Sequence, residues 1–235
     1  MKSQALLILL AACSAFAQGT FQNLDFESAE LIPIPGDPYS GVEFAPAFPG
    51  WTGYVGTSLQ SRALYNSVFL DTSGIGIIDQ AWAHYLGLPG LIEGNFTAIL
   101  QAGFYSNFTP TDTTLSQTGL VPGTARSLQF KAFIVGSGSI VNDLNVKLGG
   151  QSLAFSAISS GANYTVFGAD IHAWAGQTAE LEFTVLAENP HSSNRYVFLD
   201  SIDFSDVAIP EPSVLTLSAL GTLLLTRRFL CQARA

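Results

Sequence analysis

The chain has 235 residues, of which nine are basic and eighteen acidic, so its formal net charge is −9. The terminal segments hold four of the basic residues and one acidic residue. Residues 18–207 therefore carry five basic against seventeen acidic side chains, a net charge of −12. Such a domain does not attract nucleic acid or anionic lipid, and about 190 residues suffice for one domain with a complete core.

The first seventeen residues have the organisation of an export signal. Lys2 supplies a basic start, residues 5–12 form an apolar stretch, and Ala17 ends an A-x-A cleavage motif. We therefore expect signal peptidase to remove residues 1–17. An alternative is a lipoprotein box that ends at Cys13, in which Cys13 would be acylated and become the first residue.

Cysteine usage limits how the exported domain is stabilised. The only two cysteines, Cys13 and Cys231, fall in the terminal segments. The mature domain therefore has no disulfide, and packing must stabilise it, with or without a bound metal ion.

Strand signals dominate residues 18–207. Three segments, 127–134, 143–148 and 180–185, alternate apolar and polar residues with period 2, which is typical of strands with one buried face. Residues 29–57 contain five prolines and predict a long irregular loop. The other predicted strands are Thr20–Phe26, Val68–Asp71, Phe96–Ala102, Thr113–Gln117, Leu153–Ala157, Tyr164–Gly168 and Arg195–Phe204.

These patterns define the expected architecture. Many short strands with almost no helical period predict an all-β fold, an antiparallel β-sandwich of jelly-roll type, for residues 18–207. The one exception is Ile171–Ala175, which is predicted as a single helical turn.

The sequence contains no recognisable catalytic set. His84, His172 and His191 lie far apart without a zinc-ligand spacing, and there is no G-x-S-x-G motif. Gly74-Ile75-Gly76 lacks the third glycine of a nucleotide loop and is predicted as a turn. Nothing in the sequence selects two of the carboxylates as a glycosidase pair. We therefore predict a protein without enzymatic activity.

Asp200 is the most unusual residue of the domain. It shares a parity with Tyr196, Phe198, Ile202 and Phe204 in the last predicted strand, and this parity places its carboxylate on an apolar face. An unpaired carboxylate is costly there, so it needs a cation, a proton or several hydrogen-bond donors. Two interpretations remain open: a metal ligand, and a carboxylate that caps a turn.

The aromatic residues suggest a second candidate site. Trp51 and Trp174 are expected to pack in the core, whereas Trp82 and Tyr85 lie near His84 in a loop-like stretch. We identify Trp82 and Tyr85 as candidate ligand-binding residues for a sugar ring.

The C-terminal segment 208–235 has three ordered features. Pro210 and Pro212 flank Glu211 and keep this stretch extended, where a processing enzyme can bind it. Residues 213–226 carry no charge and predict a single C-terminal transmembrane helix, short for a hydrocarbon core of about 30 Å. Two basic residues, Arg227 and Arg228, follow this helix and indicate that its end stays in the cytoplasm.

Pro210-Glu211-Pro212, the apolar helix and the basic pair together resemble the PEP-CTERM sorting signal of Gram-negative bacteria. The resemblance implies recognition by exosortase, a membrane-embedded cysteine protease and transpeptidase. It also implies transient anchoring in the inner membrane, and final association with the cell surface or the extracellular polysaccharide of a biofilm matrix. The chain would be a substrate of this machinery.

A second resemblance covers most of the domain. The stretches "NLDFES" at 23–28, "PGW" at 49–51, "SQTGLVPGTARSLQFKA" at 116–132 and "YVFLDSIDFS" at 196–205 are similar to galactose-binding-like jelly rolls, which include several carbohydrate-binding modules. The resemblance implies that Glu27 and Asp200 hold a structural calcium ion. The chain departs from the pattern at Asp200-Ser201, where such modules often have consecutive aspartates. Two functions follow: a sorted surface protein without catalysis, and a surface-tethered carbohydrate-binding module.

Overall fold

The computed structural model describes residues 20–67, 71–86, 88, 90–105, 109–135, 138–187 and 195–209. These residues contain three short helices, α1 Phe44–Ala47, α2 Gln80–Tyr85 and α3 Ile140–Asp143, and a 3-10 turn at His172–Trp174. They contain fifteen strands: β1 Gly41–Glu43, β2 Thr52–Val55, β3 Ser58–Leu59, β4 Arg62–Tyr65, β5 Gly74–Ile78, β6 Thr97–Tyr105, β7 Thr109–Thr111, β8 Thr113–Leu120, β9 Ser127–Val135, β10 Leu144–Leu148, β11 Gln151–Ser152, β12 Phe155–Ser160, β13 Thr165–Asp170, β14 Thr178–Val185 and β15 Arg195–Ser205.

The strands form the two sheets of a β-sandwich. The nine-stranded sheet has the order β1-β4-β5-β6-β15-β9-β13-β12, with β7 attached to β6. The six-stranded sheet has the order β11-β10-β14-β8-β2-β3. The predicted all-β sandwich is confirmed. In the described part of the chain the strand pairs are antiparallel apart from β4 and β5, which run parallel.

The main core lies between the two sheets. The alternating segments predicted from the sequence are β9, β10 and β14, and their apolar residues point inward. Phe130 and Phe183 meet there edge to face, with ring centroids 5.3 Å apart. Both rings are fully buried. The period-2 prediction holds for these strands because each has one face in the core and one in water.

A second, smaller cluster lies on the outer face, the face of the nine-stranded sheet that is turned away from the six-stranded sheet. Helix α2 and the 91–96 loop cover this cluster, and Trp82 and Tyr196 pack against it. The outer face is therefore apolar beneath α2. The buried members of the cluster are Leu64, Ile78, Ala83, Leu91, Ile92, Ile99 and Phe198.

Two predictions of local structure were wrong. Thr20–Phe26 is not a strand beyond a single bridge at Thr20, because Asn23 and Phe26 have φ angles of 49° and 58° and close a turn. Gly74-Ile75-Gly76 is not a turn but the start of the buried strand β5. β5 has no period-2 signature because both of its faces are covered.

Other predictions were displaced or fall outside the described residues. The predicted strand Leu153–Ala157 lies at β12, and Val68–Asp71 falls mostly outside the described part, with Asp71 in a turn. The predicted irregular loop 29–57 contains β1, α1 and β2. The predicted helical turn at Ile171–Ala175 is confirmed as the 3-10 turn.

Candidate functional site

Glu27 lies against the 91–96 loop, far from it in sequence. Its Oε1 accepts hydrogen bonds from the backbone N–H groups of Asn95 and Phe96, at 2.8 and 3.0 Å, and its Oε2 accepts one from Asn95 Nδ2 at 2.7 Å. Gly94 has φ of +60°, and a Cβ atom there would lie 2.2 Å from Glu27 Oε1. A larger residue at this position would force the Glu27 carboxylate to move from its three hydrogen bonds and would adopt a strained φ.

Asp200 lies beside Thr97, the residue that directly follows this loop, and is fully buried. Its Oδ2 accepts a 2.8 Å hydrogen bond from Thr97 Oγ1, and its Oδ1 accepts one of 2.7 Å from the backbone N–H of Ser201. Thr97 Oγ1 in turn accepts a hydrogen bond from the backbone N–H of Ile92. The loop and the first residue of β6 thus bring together the two carboxylates predicted from opposite ends of the domain.

The last strand contains a β-bulge after Asp200, so the single parity predicted for this strand was wrong beyond that residue. Asp200 pairs with Lys131 and Asp203 pairs with Gln129, so β15 has one extra residue at this point. Ser201, within the bulge, has φ of +46°. As a result Tyr196, Phe198 and Asp200 face the outer cluster, whereas Ile202 and Phe204 pack against the main core and do not share their side of the sheet.

Burial has the largest effect on the pKa of the Asp200 carboxyl and raises it to about 7. The negative charge of Glu27 raises this pKa further. The hydrogen bonds from Thr97, from Ser201 and from the backbone N–H of Glu93 oppose the shift, because they favour the charged form. Asp200 therefore holds a proton at mildly acidic pH.

A polar chain of contacts extends from Asp200 to the surface. Ser201 Oγ donates a 2.6 Å hydrogen bond to Glu93 Oε2, and the Lys131 ammonium forms an ion pair with the same carboxylate. The hydrogen bond from Lys131 lowers the pKa of Glu93 below its usual value. Lys131 Nζ also lies 5.2 Å from the centre of the Tyr164 ring.

Sequence reasoning missed Glu93, Thr97, Lys131 and Ser201. They come from the 91–96 loop, β6, β9 and the bulge, and they meet only through strand register and one extra residue. The one available signal was the departure from the consecutive aspartates at Ser201.

The negative charge of the two carboxylates suits calcium, but their oxygens are too few to complete a calcium site. Calcium takes six to eight oxygen ligands, so Glu27 and Asp200 would supply only part of the set. Within the described ranges, no three His, Cys, Asp or Glu side chains are grouped so that they could hold a metal ion. The contacts observed around Asp200 are those of a hydrogen-bonded carboxyl that caps the bulge. The calcium role stays a prediction.

Trp82 and Tyr85 lie in helix α2, not in the loop that the sequence suggested. The helix begins after Asp79, whose Oδ1 accepts hydrogen bonds from the backbone N–H groups of Ala81 and Trp82 at 2.9 and 3.2 Å. Residues three apart on a helix share a face, and the two rings stack with centroids 4.5 Å apart and an interplanar angle of 14°.

The two rings differ in exposure. Tyr85 is 75% exposed, whereas Trp82 is half-buried and packs against the outer-face cluster. Trp82 Nε1 is buried and has no hydrogen-bond partner among the described residues. Trp82 therefore offers less surface than Tyr85 and supports the Tyr85 ring from beneath.

The other tryptophans belong to the core, as predicted. Trp51 is buried, and its Nε1 donates a 3.0 Å hydrogen bond to the carbonyl oxygen of Asn23. Trp174 lies in the 3-10 turn and packs against the main core. Trp174 is only half-buried, whereas Trp51 is buried.

The predicted processing residues lie outside the described residues. These are Ala17 at the signal-peptide boundary, Pro210, Glu211 and Pro212 of the sorting motif, and Arg227 and Arg228 of the basic pair; the predicted helix 213–226 lies outside as well. Among the helices that the structure does describe, each is too short to cross a membrane.

Two distant structural likenesses are among those that comparisons with known proteins give. No family model matches the chain, and no curated protein matches it. TmCBM61 in complex with β-1,4-galactotriose is 9% identical, with a TM-score of 0.37 over 79% of this chain and 97% of that chain. The enzymatically active domain of bacteriophage CBA120 tailspike protein 4 is 12% identical, with a TM-score of 0.36. That match covers 66% of this chain and 19% of the tailspike chain. No residue role is transferred from either protein.

Proposed function

We propose that the chain is a surface-tethered module that binds a neutral carbohydrate through the Tyr85 ring. The observation that carries this proposal is the stacked pair of Trp82 and Tyr85, with Tyr85 75% exposed at the end of a capped helix. An aromatic ring fixed by a second ring beneath it is a flat, rigid contact surface that loses little conformational entropy on binding.

The electrostatics of the domain favour an uncharged ligand. Residues 18–207 carry seventeen acidic against five basic side chains, and this net charge of −12 repels polyanions. A neutral glycan has apolar ring faces that suit an aromatic platform and hydroxyl groups that remain in water at its rim.

Tyr85→Ala tests this proposal in the fragment 18–209, which contains every residue of both hydrophobic clusters. We expect the fragment to bind at least one neutral polysaccharide in affinity electrophoresis or on a glycan array, and Tyr85→Ala to weaken binding at least about tenfold. Tyr39→Ala is the matched control, because Tyr39 is 59% exposed and belongs to the turn before β1 and not to the stacked pair. Equal binding by both variants, or no binding by the wild-type fragment, would contradict the proposal.

We further propose that the chain is exported and sorted to the cell surface. The support lies in the sequence: the cleavage motif at Ala17, the Pro210-Glu211-Pro212 stretch and the basic pair at Arg227 and Arg228. Signal peptidase and exosortase are the processing enzymes of this proposal, and extracellular polysaccharide is the partner. No catalytic activity is included.

Cell fractionation tests the sorting step. In cells that have exosortase, we expect the protein to leave the inner membrane and to lose its C-terminal segment, which mass spectrometry of the surface-extracted protein detects as a new C-terminus near Pro212. In cells that lack exosortase, the full-length form is expected to accumulate in the inner membrane. Unchanged size and location in the two strains would disprove sorting and would leave the binding proposal intact.

A further inference from the structure

We propose that two copies of the chain pair through β12, so that the nine-stranded sheet continues across a two-fold axis. β12 pairs with β13 on one side and is the last strand of the sheet on the other. The five residues 156–160 are all exposed. A strand in this position presents unpaired backbone N–H and C=O groups, which a second strand can satisfy.

The other sheet ends do not offer such a template. In the described part of the chain, β1 has three residues, and β3 and β11 have two each. Very short edge strands are a common protection against unwanted pairing. β12 has six residues and contains neither proline nor a charged side chain. Its register against β13 shifts between Ala157 and Ser159, so Ile158 forms a β-bulge within this edge strand.

The charge distribution selects a second copy as the partner. The domain carries a net charge of −12, so two copies repel each other over most of their surfaces. Residues 153–169, which include β12 and most of β13, hold no charged side chain. At the edge of β12, two acidic copies can therefore meet without bringing like charges together. An antiparallel pair of identical strands is also self-complementary, as a two-fold interface requires.

The course of the C-terminal residues agrees with this symmetry. Phe167 and Ala169 point into the main core, so Gly168 between them faces the outer side of the sheet. A Cβ atom at Gly168 would lie 2.5 Å from Ile209 Cδ1 and 3.3 Å from Ile158 Cδ1, which places Ile209 on the outer face beside β12. Ser127 Oγ fixes the approach to this position by donating a 2.6 Å hydrogen bond to the carbonyl oxygen of Val207.

The two-fold axis between antiparallel strands of one sheet stands perpendicular to the sheet. Both copies therefore present the same outer face, and with it Ile209, to the same side. Two chains that are held by their C-termini at one surface can pair in this way without reorientation; this step rests on the proposed anchor. A pairing that placed the copies back to back would put the two Ile209 residues on opposite sides.

A charge-swap experiment on the fragment 18–209 tests the pairing. Ile158 is 37% exposed on β12, and Ile158→Lys or Ile158→Glu places like charges of the two copies close to the axis. We expect sedimentation velocity to show a concentration-dependent dimer for the wild type and a dissociation constant at least about tenfold higher for each variant. An equimolar mixture of the two variants is expected to restore the dimer, which also shows that both variants are folded.

Leu59→Lys is the matched control, because Leu59 is 65% exposed on β3 at the edge of the other sheet. This variant is expected to dimerise as the wild type does. The proposal is overturned by a wild-type fragment that stays monomeric up to its solubility limit. It is equally overturned if Ile158→Lys dimerises with unchanged affinity, or if the mixture of variants fails to form a dimer.

Discussion

The hydroxyl of Thr97 donates a 2.8 Å hydrogen bond to Asp200 Oδ2 although 103 residues separate the two along the chain. Both side chains are fully buried. Thr97 is the first residue of β6, and Asp200 is the last residue of β15 before the bulge. This contact holds the 91–96 loop against the outer face and balances part of the cost of burying a carboxyl group.

Thr97→Val is expected to destabilise the fold by about 1–3 kcal/mol, because it leaves Asp200 Oδ2 buried without its donor. The double variant Thr97→Val/Asp200→Asn is expected to lose less than the sum of the two single variants, since the two groups act as a pair. Urea unfolding of the four proteins measures this coupling. Additive effects would show that the hydrogen bond contributes nothing to stability.

Asp200 makes the stability of the domain depend on pH in an unusual direction. Its pKa is about 7 in the folded protein against an ordinary value of 3.8, so the folded state holds the proton more tightly than the unfolded state. The stabilisation from this proton is complete below the unfolded pKa and is lost as the pH rises through 7. The unfolding free energy of the wild type, minus that of Asp200→Asn, should therefore fall from pH 4 to pH 7 by up to about 4 kcal/mol.

Urea unfolding of both proteins from pH 4 to pH 8 in chelator measures this difference. The variant removes the titration of Asp200 alone, so the carboxylates that the two proteins share cancel. The difference is expected to level off above pH 8. A difference that does not change with pH would show that Asp200 titrates with the same pKa in both states.

Calcium binding at Glu27 and Asp200 predicts a melting temperature that depends on the metal. A ligand at a hundredfold excess over its dissociation constant stabilises the folded state by about 2.7 kcal/mol. For a domain of this size that corresponds to roughly 5–11 °C. We expect chelator to lower the melting temperature by several degrees and Asp200→Asn to abolish this sensitivity, whereas the distant Asp112→Asn keeps it. Identical melting curves with millimolar calcium and with chelator would leave the proton as the partner of Asp200.

Gly94→Ala should be far more damaging than Gly36→Ala. Both glycines have positive φ, +60° and +79°, so each alanine meets the same backbone strain of about 1–2 kcal/mol. Gly36 has nothing within 4 Å of the added methyl group, whereas at Gly94 the Cβ position lies 2.2 Å from Glu27 Oε1. The excess loss of stability at Gly94, measured by thermal or urea unfolding, reports the contact with Glu27. Equal losses at the two positions would mean that Glu27 moves aside without cost.

The sequence predicted those parts of the fold in which one face of a strand meets water. β9, β10 and β14 alternate because their outer residues are solvated, whereas β5 was misread because glycines occupy one of its two covered faces. The turn at Asn23–Phe26 was missed because positive φ angles at non-glycine residues leave no mark in the composition.

The candidate sites were predictable in part for a related reason. Asp200 was found because a charge on an apolar face is visible in the sequence, whereas Glu27 was found through the resemblance to carbohydrate-binding modules. Lys131 was not found, because it becomes a neighbour of Asp200 only through the register of β9 against β15. Trp82 and Tyr85 were selected because they are aromatic. Helix α2 was not predicted, since six residues are too few to establish a helical period.

The position of β15 has a consequence for the order in which the domain folds. The last strand that the structure describes, β15, lies in the middle of the larger sheet, between β6 and β9, and joins the halves on its two sides. Until residue 205 has emerged, β6 and β9 lack their shared partner, and the strands that precede them cannot close the sheet. A nascent chain of this design therefore stays open until β15 has been made, which keeps it competent for passage in an extended form and delays the moment at which it becomes resistant to proteases.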